Sequence, residues 1–323
     1  MRVIRVREFG DPSVLKLEET PDPVPGAGQA VIDVEIAGVV FGDTIVRSGR
    51  YPFPLPYVPG LEVGGLVRAV GPDVDSALVG RRVVAATPKM VGGYADQAAV
   101  DAAALCEVPE GVAIERAVPV FQAGAMALGL LDAMQVKTGE TILITAAAGR
   151  IGTLLVQAAK NARMIVVAAV GGPDKAEAVS GADVVVDYSK PDWVDRVVAA
   201  TGGGVDVALD AVGGEVGAGV LAALRDGAGR FGTYGFASGE WTAFDAATVG
   251  RRGLTIVGAA GVTFHKPASL QRADTVRALR ELASGRLTPR IHAVWALADA
   301  AEAHTALADR RTIGAVLLKP GLS

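Results

Sequence analysis

The strongest chemical signal in the sequence is the run Thr141-Ile-Leu-Ile-Thr-Ala-Ala-Ala-Gly149-Arg-Ile-Gly152. A short apolar stretch enters a turn of small residues, and a helical pattern continues from Ile151 to Asn161. Ala146, Gly149 and Gly152 take the three glycine positions of a dinucleotide fingerprint. Gly149 would let the backbone approach a pyrophosphate, and Gly152 would let helix and strand pack closely. The first turn, with Arg150 and Ile151, would offer its free N–H groups and dipole to the phosphates. A purely structural turn is the alternative. The preceding strand, the following helix and the start of a βαβ series favour dinucleotide binding.

The cofactor is read from the end of the next apolar run. A site that prefers NAD carries an acidic residue there, about 20 positions on, to bind the ribose hydroxyls. Here the residues are Ala169-Val170-Gly171-Gly172, without a carboxylate. Gly171 and Gly172 leave room for a 2′-phosphate, and Lys175 would supply the countercharge, tempered by Asp174. Arg150 would add charge from the phosphate turn. The expected cofactor is NADPH.

The elements that must position these groups follow two patterns. From about Thr138, apolar runs at Thr141–Thr145, Met164–Val170, Val184–Asp187, Val205–Asp210, Arg230–Tyr234 and Leu254–Val257 alternate with helical stretches. That alternation predicts a parallel, doubly wound sheet. The first third is rich in β-branched residues and turn formers. Val31–Ile36 alternates as a half-buried strand does, and prolines at 52, 54, 56 and 59 mark a loop at the mouth of a small, mostly β domain. The tail, with helices at Asp274–Ala283 and Ala298–Leu307 and a strand at Ile313–Leu318, folds back onto that domain.

Composition narrows the function. The 323 residues suggest two domains, and a net charge of -4 gives no basic face for nucleic acid or an anionic membrane. The single cysteine, Cys106, excludes a disulfide framework and a cysteine-rich zinc site. No apolar stretch of membrane-spanning length runs free of Gly, Pro or charge, and the N-terminus lacks a signal-peptide core. The expectation is a cytoplasmic protein. The run at Leu254–Val257 is expected to be a sheet edge, and its pairing would give a homodimer.

Further stretches carry a resemblance: Phe9-Gly-Asp-Pro-Ser-Val-Leu-Lys-Leu, Asp43-Thr-Ile-Val-Arg-Ser-Gly-Arg-Tyr51-Pro, Pro59-Gly-Leu-Glu-Val-Gly-Gly, Ala146-Ala-Ala-Gly-Arg-Ile-Gly, Asp210-Ala-Val-Gly-Gly and Arg311-Thr-Ile-Gly-Ala-Val-Leu-Leu. In this order the chain resembles the zinc-free quinone oxidoreductase branch of the medium-chain dehydrogenase/reductase superfamily. The resemblance implies an α/β fold with a GroES-like catalytic domain (1–122 and 266–323) wrapped around a Rossmann NADPH-binding domain (123–265). It implies an active site in the cleft, with Tyr188 beside the adenine ribose and Val212, Gly235 and Phe236 along the cofactor. Where zinc-binding members have a cysteine and a histidine, this chain has Val40 and Leu61, so no metal is expected. His265, His292 and His304 lack ligand spacing and are read as surface or packing residues. The chain departs from zinc-free relatives at Val40 (often Asn), Arg150 (usually Gly), Phe236 (commonly Asn) and Gln122–Met126.

The chemistry so implied is hydride transfer from NADPH to a small-molecule quinone or enone. Negative charge that develops on the acceptor oxygen needs a donor. Tyr51, which the resemblance puts near the nicotinamide, is the candidate, with packing over the cofactor as a loop aromatic as its alternative role. Asp43 is the second catalytic candidate, with anchoring of the loop as its alternative role, and Arg47 is read as solvated. Val40, Tyr51, Phe53, Phe121 and Phe236 would line an apolar substrate pocket. The rival readings are an enoyl reductase acting on an unsaturated ketone or thioester, and a non-enzymatic NADPH-binding protein.

Overall fold

The computed structural model describes residues 1–322. The chain divides into two units: Met1–Gln122 with the segment from Leu279 onward, and Ala123–Ala278.

The first unit is built on the long strand β3 (Gln29–Val39), which follows the antiparallel pair β1 (Arg2–Arg5) and β2 (Lys16–Glu19). A short helix, α1 (Phe41–Arg47), follows β3 directly. Strands β4 (Glu62–Val70), β5 (Arg82–Ala86), β6 (Gln97–Asp101) and β7 (Cys106–Glu107) follow, before helix α2 (Ile114–Ala133). Among the described residues the main sheet runs β14-β15-β3-β4-β5-β7, with β6 also paired to β3; β14 (Ile291–Ala296) and β15 (Ala315–Lys319) come from the tail. Register shifts at Val31/Ile32 and Val34/Ile36 bend the β3–β4 pair. Gly65 is needed there, because a Cβ would stand 1.9 Å from the Asp33 carbonyl oxygen. The core of Ile4, Ile32, Val63, Val83, Tyr94, Val100 and Leu318 fills this unit.

The second unit holds six parallel strands in the order β10-β9-β8-β11-β12-β13. They are β8 (Thr141–Ile144), β9 (Ile165–Val170), β10 (Val184–Asp187), β11 (Val207–Asp210), β12 (Arg230–Thr233) and β13 (Thr255–Val257). The order is that of the Rossmann fold, with β8 as the first strand at the centre. Every residue of β8 and β11 is buried, as parallel strands covered on both faces must be. Helices α3 (Arg150–Asn161), α4 (Pro173–Ala178), α5 (Trp193–Thr201), α6 (Gly214–Ala222), α7 (Ala246–Arg252) and α8 (Ala259–Phe264) lie between and after the strands.

One boundary differs from the sequence expectation. The return to the first unit was expected at residue 266, but the contacts change at Leu279, inside helix α9 (Ala268–Ala283). An ion pair accounts for this: Arg277 of α9 holds Asp132 of α2 at 2.9 Å, so the start of α9 stays with the second unit. Helix α2 is long and apolar enough to cross a membrane by length and composition, although Glu115, Arg116, Pro119, Gly124 and Gly129 interrupt it, as the sequence reading expected of any stretch of that length. Its apolar window is 72% buried inside the protein, so core packing accounts for its apolarity. The last helix, α10 (Ala300–Ala308), precedes β15.

Candidate functional site

In the second unit, β8 delivers the chain into Thr145, which is fully buried. Ala146 follows at φ 48°, a left-handed conformation normally left to glycine. The Ala147 amide donates to Ala169 O at 3.1 Å, and the Gly149 amide donates to Ala146 O at 2.8 Å. These bonds fix the turn against β9. Gly149 caps α3 without a side chain, so no side-chain oxygen takes its first amides and they suit an anion. A Cβ on Gly152 would lie 2.3 Å from Ala146 O and 2.7 Å from Ala147 Cα, so the close approach of helix and turn requires glycine. Arg150 and Ile151 open the helix, both half-buried or nearly so.

Asp210 frames this turn, a role the sequence reading did not give it. Its carboxylate is wholly buried. Oδ1 accepts from the Thr145 hydroxyl at 2.7 Å and the Val212 amide at 3.0 Å. Oδ2 accepts from the Gly213 amide at 3.0 Å and the Thr242 hydroxyl at 2.9 Å. Thr145 Oγ1 in turn accepts from the Ala211 amide at 2.9 Å. One side chain thus locks the phosphate turn, the turn after β11 and the loop after β12. The sequence signal was an acid that ends an apolar strand. Val212 is buried within this frame, and Gly235 lies close to the Ala211 carbonyl, 3.0 Å from where its Cβ would be. Phe236 is 38% exposed and stacks on Trp241 at 4.5 Å and 36°. Trp241, itself exposed, carried no motif that would single it out. The Tyr234 hydroxyl donates to Thr145 O at 3.3 Å, and burial, with Asp210 beside it, raises its pKa above the usual phenol range.

At the ends of β9 and β10 the structure alters the sequence picture. A Cβ on Gly171 would stand 2.9 Å from Cε2 of Tyr188, so that ring fills the room expected there. Tyr188 reaches it because β10 is the neighbour of β9 in the sheet. Gly172, at φ 111°, has nothing within 4 Å of its Cβ position and remains open. No carboxylate lies in Ala169–Gly172 at the end of β9, yet one comes from β10. Asp187 Oδ1 accepts from the Gly172 and Ser189 amides, each at 2.9 Å. Burial pushes its pKa up, but the bonds from Ser189 and Gly172 outweigh that and hold it below the usual carboxylate range. Lys175 sits half-buried in α4.

The remaining candidates lie in the first unit. Tyr51 is 55% exposed on the Pro-rich loop. Phe53 packs edge-on against Tyr57 at 5.0 Å. Phe121 is buried in α2. Val40 precedes α1, and its amide donates to Asp43 Oδ2 at 3.0 Å. The same oxygen accepts from the Tyr94 hydroxyl at 2.8 Å, and that hydroxyl meets His304 Nε2 at 3.1 Å. Asp43 therefore anchors the start of the loop to the core. Tyr94 and His304, both fully buried, were not read as site residues; no local pattern connects them. Burial, with the nearby Arg47 charge, lowers the His304 pKa to about 3, so its ring is neutral. Arg47 is itself buried and donates to Gly10 O at 2.7 Å, where the sequence suggested a solvated side chain. Among the described residues no group of three or more His, Cys, Asp or Glu side chains could hold a metal.

With this geometry established, known proteins give the context. A family model for the alcohol dehydrogenase GroES-like domain matches residues 26–110, and one described as zinc-binding dehydrogenase matches residues 180–318. A probable quinone oxidoreductase of Schizosaccharomyces pombe is 34% identical, covering 98% of this chain and 96% of that protein. A quinone oxidoreductase of Pseudomonas aeruginosa is 32% identical, covering 98% and 99%. Among solved structures, a mycobacterial protein complexed with NADPH superposes with a TM-score of 0.90 at 35% identity, covering 99% of this chain and 100% of that one. Escherichia coli quinone oxidoreductase complexed with NADPH gives 0.90 at 29% identity with the same coverage.

Proposed function

The chain belongs to the quinone oxidoreductases of the medium-chain dehydrogenase/reductase superfamily, and on that premise we propose that it is an NADPH-dependent oxidoreductase that reduces a quinone or a similar conjugated carbonyl. The observation that carries the reading is the turn Ala146–Gly152, shaped for a pyrophosphate by Gly149, Gly152 and the α3 amides and locked from behind by Asp210. Lys175 and Tyr188 would hold the adenosine end and its 2′-phosphate. Val212, Gly235 and Phe236 would border the rest of the cofactor. Bound NADPH supplies the hydride. The chain's own residues orient the cofactor and exclude water, and the Tyr51 hydroxyl donates to the acceptor oxygen as negative charge grows there.

The reaction we propose is independent of zinc. The matched family model carries zinc in its name, but the donor set here does not fit the ion. Val40 and Leu61 have no atom that coordinates it. NADPH oxidation assayed against quinones, enones and enoyl thioesters after exhaustive chelation tests both statements. Quinone-dependent turnover that persists without metal is the expected result. Turnover confined to enoyl thioesters would replace the acceptor class, and activity restored only by zinc would overturn the metal-free reading.

We also place the protein in the cytoplasm, where its lone cysteine would stay reduced, and propose a two-fold homodimer. Strand β13 ends the sheet at one side, and such an edge invites a second copy. Light scattering should give the mass of two chains at micromolar concentration; a mass of one chain removes the proposal.

A further inference from the structure

The turns after β9 and β10 share a single carboxylate oxygen. Asp187 ends β10 in register with Val170 of β9. Its Oδ1 takes the amide of Gly172 on one side and the amide of Ser189 on the other. The side chain is only 8% exposed, and Oδ2 has no hydrogen-bond partner among the described residues. A buried oxygen left so is a cost that folding alone does not explain.

What the carboxylate restrains explains it better. Gly172 is at φ 111° and ψ 156°, a region open essentially to glycine alone. Glycine samples many other conformations as readily, so the backbone by itself does not hold this one. Pro173 follows, without an N–H, and starts the short helix that carries Lys175. On the other side Asp187 is joined directly to Tyr188, whose ring covers Gly171. The two side chains assigned to the adenosine end therefore leave from two turns, and those turns are tied at one atom.

We propose that Asp187 is a positioning residue for cofactor choice: by bonding the Gly172 and Ser189 amides together it holds Lys175 and Tyr188 around the adenosine 2′-phosphate. This rests on the reading of NADPH as the cofactor at the second unit. Asp187 touches no cofactor atom in this role. It sets the spacing between two groups that do, so its loss acts on the phosphate-bearing cofactor more than on NADH.

The test is binding of NADPH and NADH, measured by calorimetry on the full chain, for wild type, Asp187→Ala, Asp187→Asn and Lys175→Ala. Amide hydrogen exchange of the cofactor-free protein provides a second readout. Asp187→Ala should weaken NADPH about tenfold and NADH less than about threefold, and should speed exchange at Gly172 and Ser189. Asp187→Asn keeps the acceptor for both amides and should restore NADPH affinity and slow exchange. Equal weakening of both cofactors by Asp187→Ala, no weakening of either, or an Asn variant that behaves like Ala overturns the proposal. Lys175→Ala separates the two levels. If it lowers the NADPH preference while Asp187→Ala does not, the positioning role fails alone. If wild type shows no preference for NADPH, the underlying cofactor reading fails.

Discussion

Asp210 in the second unit and Asp43 in the first are both buried carboxylates beside candidate site residues, and they are satisfied in different ways. Asp210 has donors on both oxygens: two hydroxyls and two amides from three separate segments. Asp43 Oδ2 takes the Val40 amide and the Tyr94 hydroxyl, and the chain continues to His304. That chain ends at His304 Nδ1, which has no hydrogen-bond partner among the described residues. A closed network fixes its surroundings. An open-ended one fixes them too, but leaves a polar atom whose cost depends on conditions. The phosphate turn is held by the first kind, and the start of the Tyr51-bearing loop by the second.

The largest effect should come from Asp210→Ala. It leaves the hydroxyls of Thr145 and Thr242 and the amides of Val212 and Gly213 without their acceptor. Each buried orphan costs about 1–3 kcal/mol, so the sum exceeds ~3 kcal/mol even if part relaxes. Asp43→Ala takes the acceptor from the Val40 amide and the buried Tyr94 hydroxyl; at the same rate that is about 2–6 kcal/mol before relaxation, against about 4–12 for the four donors of Asp210, so it should cost less. Urea unfolding midpoints measure both. Saturable NADPH binding should vanish in the Asp210 variant and persist in the Asp43 variant. Equal destabilisation by the two substitutions would break the contrast between the networks.

The same contrast marks what the sequence could disclose. The phosphate turn was legible because strand, turn and helix are contiguous, and Gly149 and Gly152 answer to constraints within that one segment. The parallel sheet was legible because strands covered on both faces read as unbroken apolar runs. Asp210 reaching Thr242 spans 32 residues and Tyr94 reaching His304 spans 210, and no local spacing encodes either. Gly171 was misread for a related reason. The residue that fills its space, Tyr188, comes from the neighbouring strand, and strand adjacency follows from topology rather than from sequence order. Arg47 and His304 looked like solvated or ordinary packing residues because nothing near them in sequence announces burial of a charge-bearing group. The contacts place the boundary at Leu279 rather than 266, because the ion pair Arg277–Asp132, which no helical pattern encodes, ties the start of α9 to α2.

The open end of the first network makes a smaller, pH-dependent prediction. His304 is fully buried, and burial, with the Arg47 charge, holds its folded pKa at about 3. In the unfolded chain the imidazole titrates near ~6.5. Between those values the unfolded state binds about one more proton than the folded state, so stability rises with pH. The contribution of the neutral ring is complete above about pH 6.5 and is lost as pH falls toward 3, at ~1.4 kcal/mol per unit. Native carboxylates act in the same direction but begin to matter below about pH 5. The window from about pH 6 to 5 therefore isolates histidine. His292 is also lowered by burial and adds in the same sense, so a variant must separate the two. His304→Gln offers the Tyr94 hydroxyl an amide donor and does not titrate. Unfolding free energy of wild type should drop by ~1 kcal/mol from pH 6 to 5, and that of His304→Gln should drop measurably less. Parallel pH curves for the two proteins would mean that His304 takes up no extra proton on unfolding, and that the open-ended network tolerates acid as well as the closed one around Asp210.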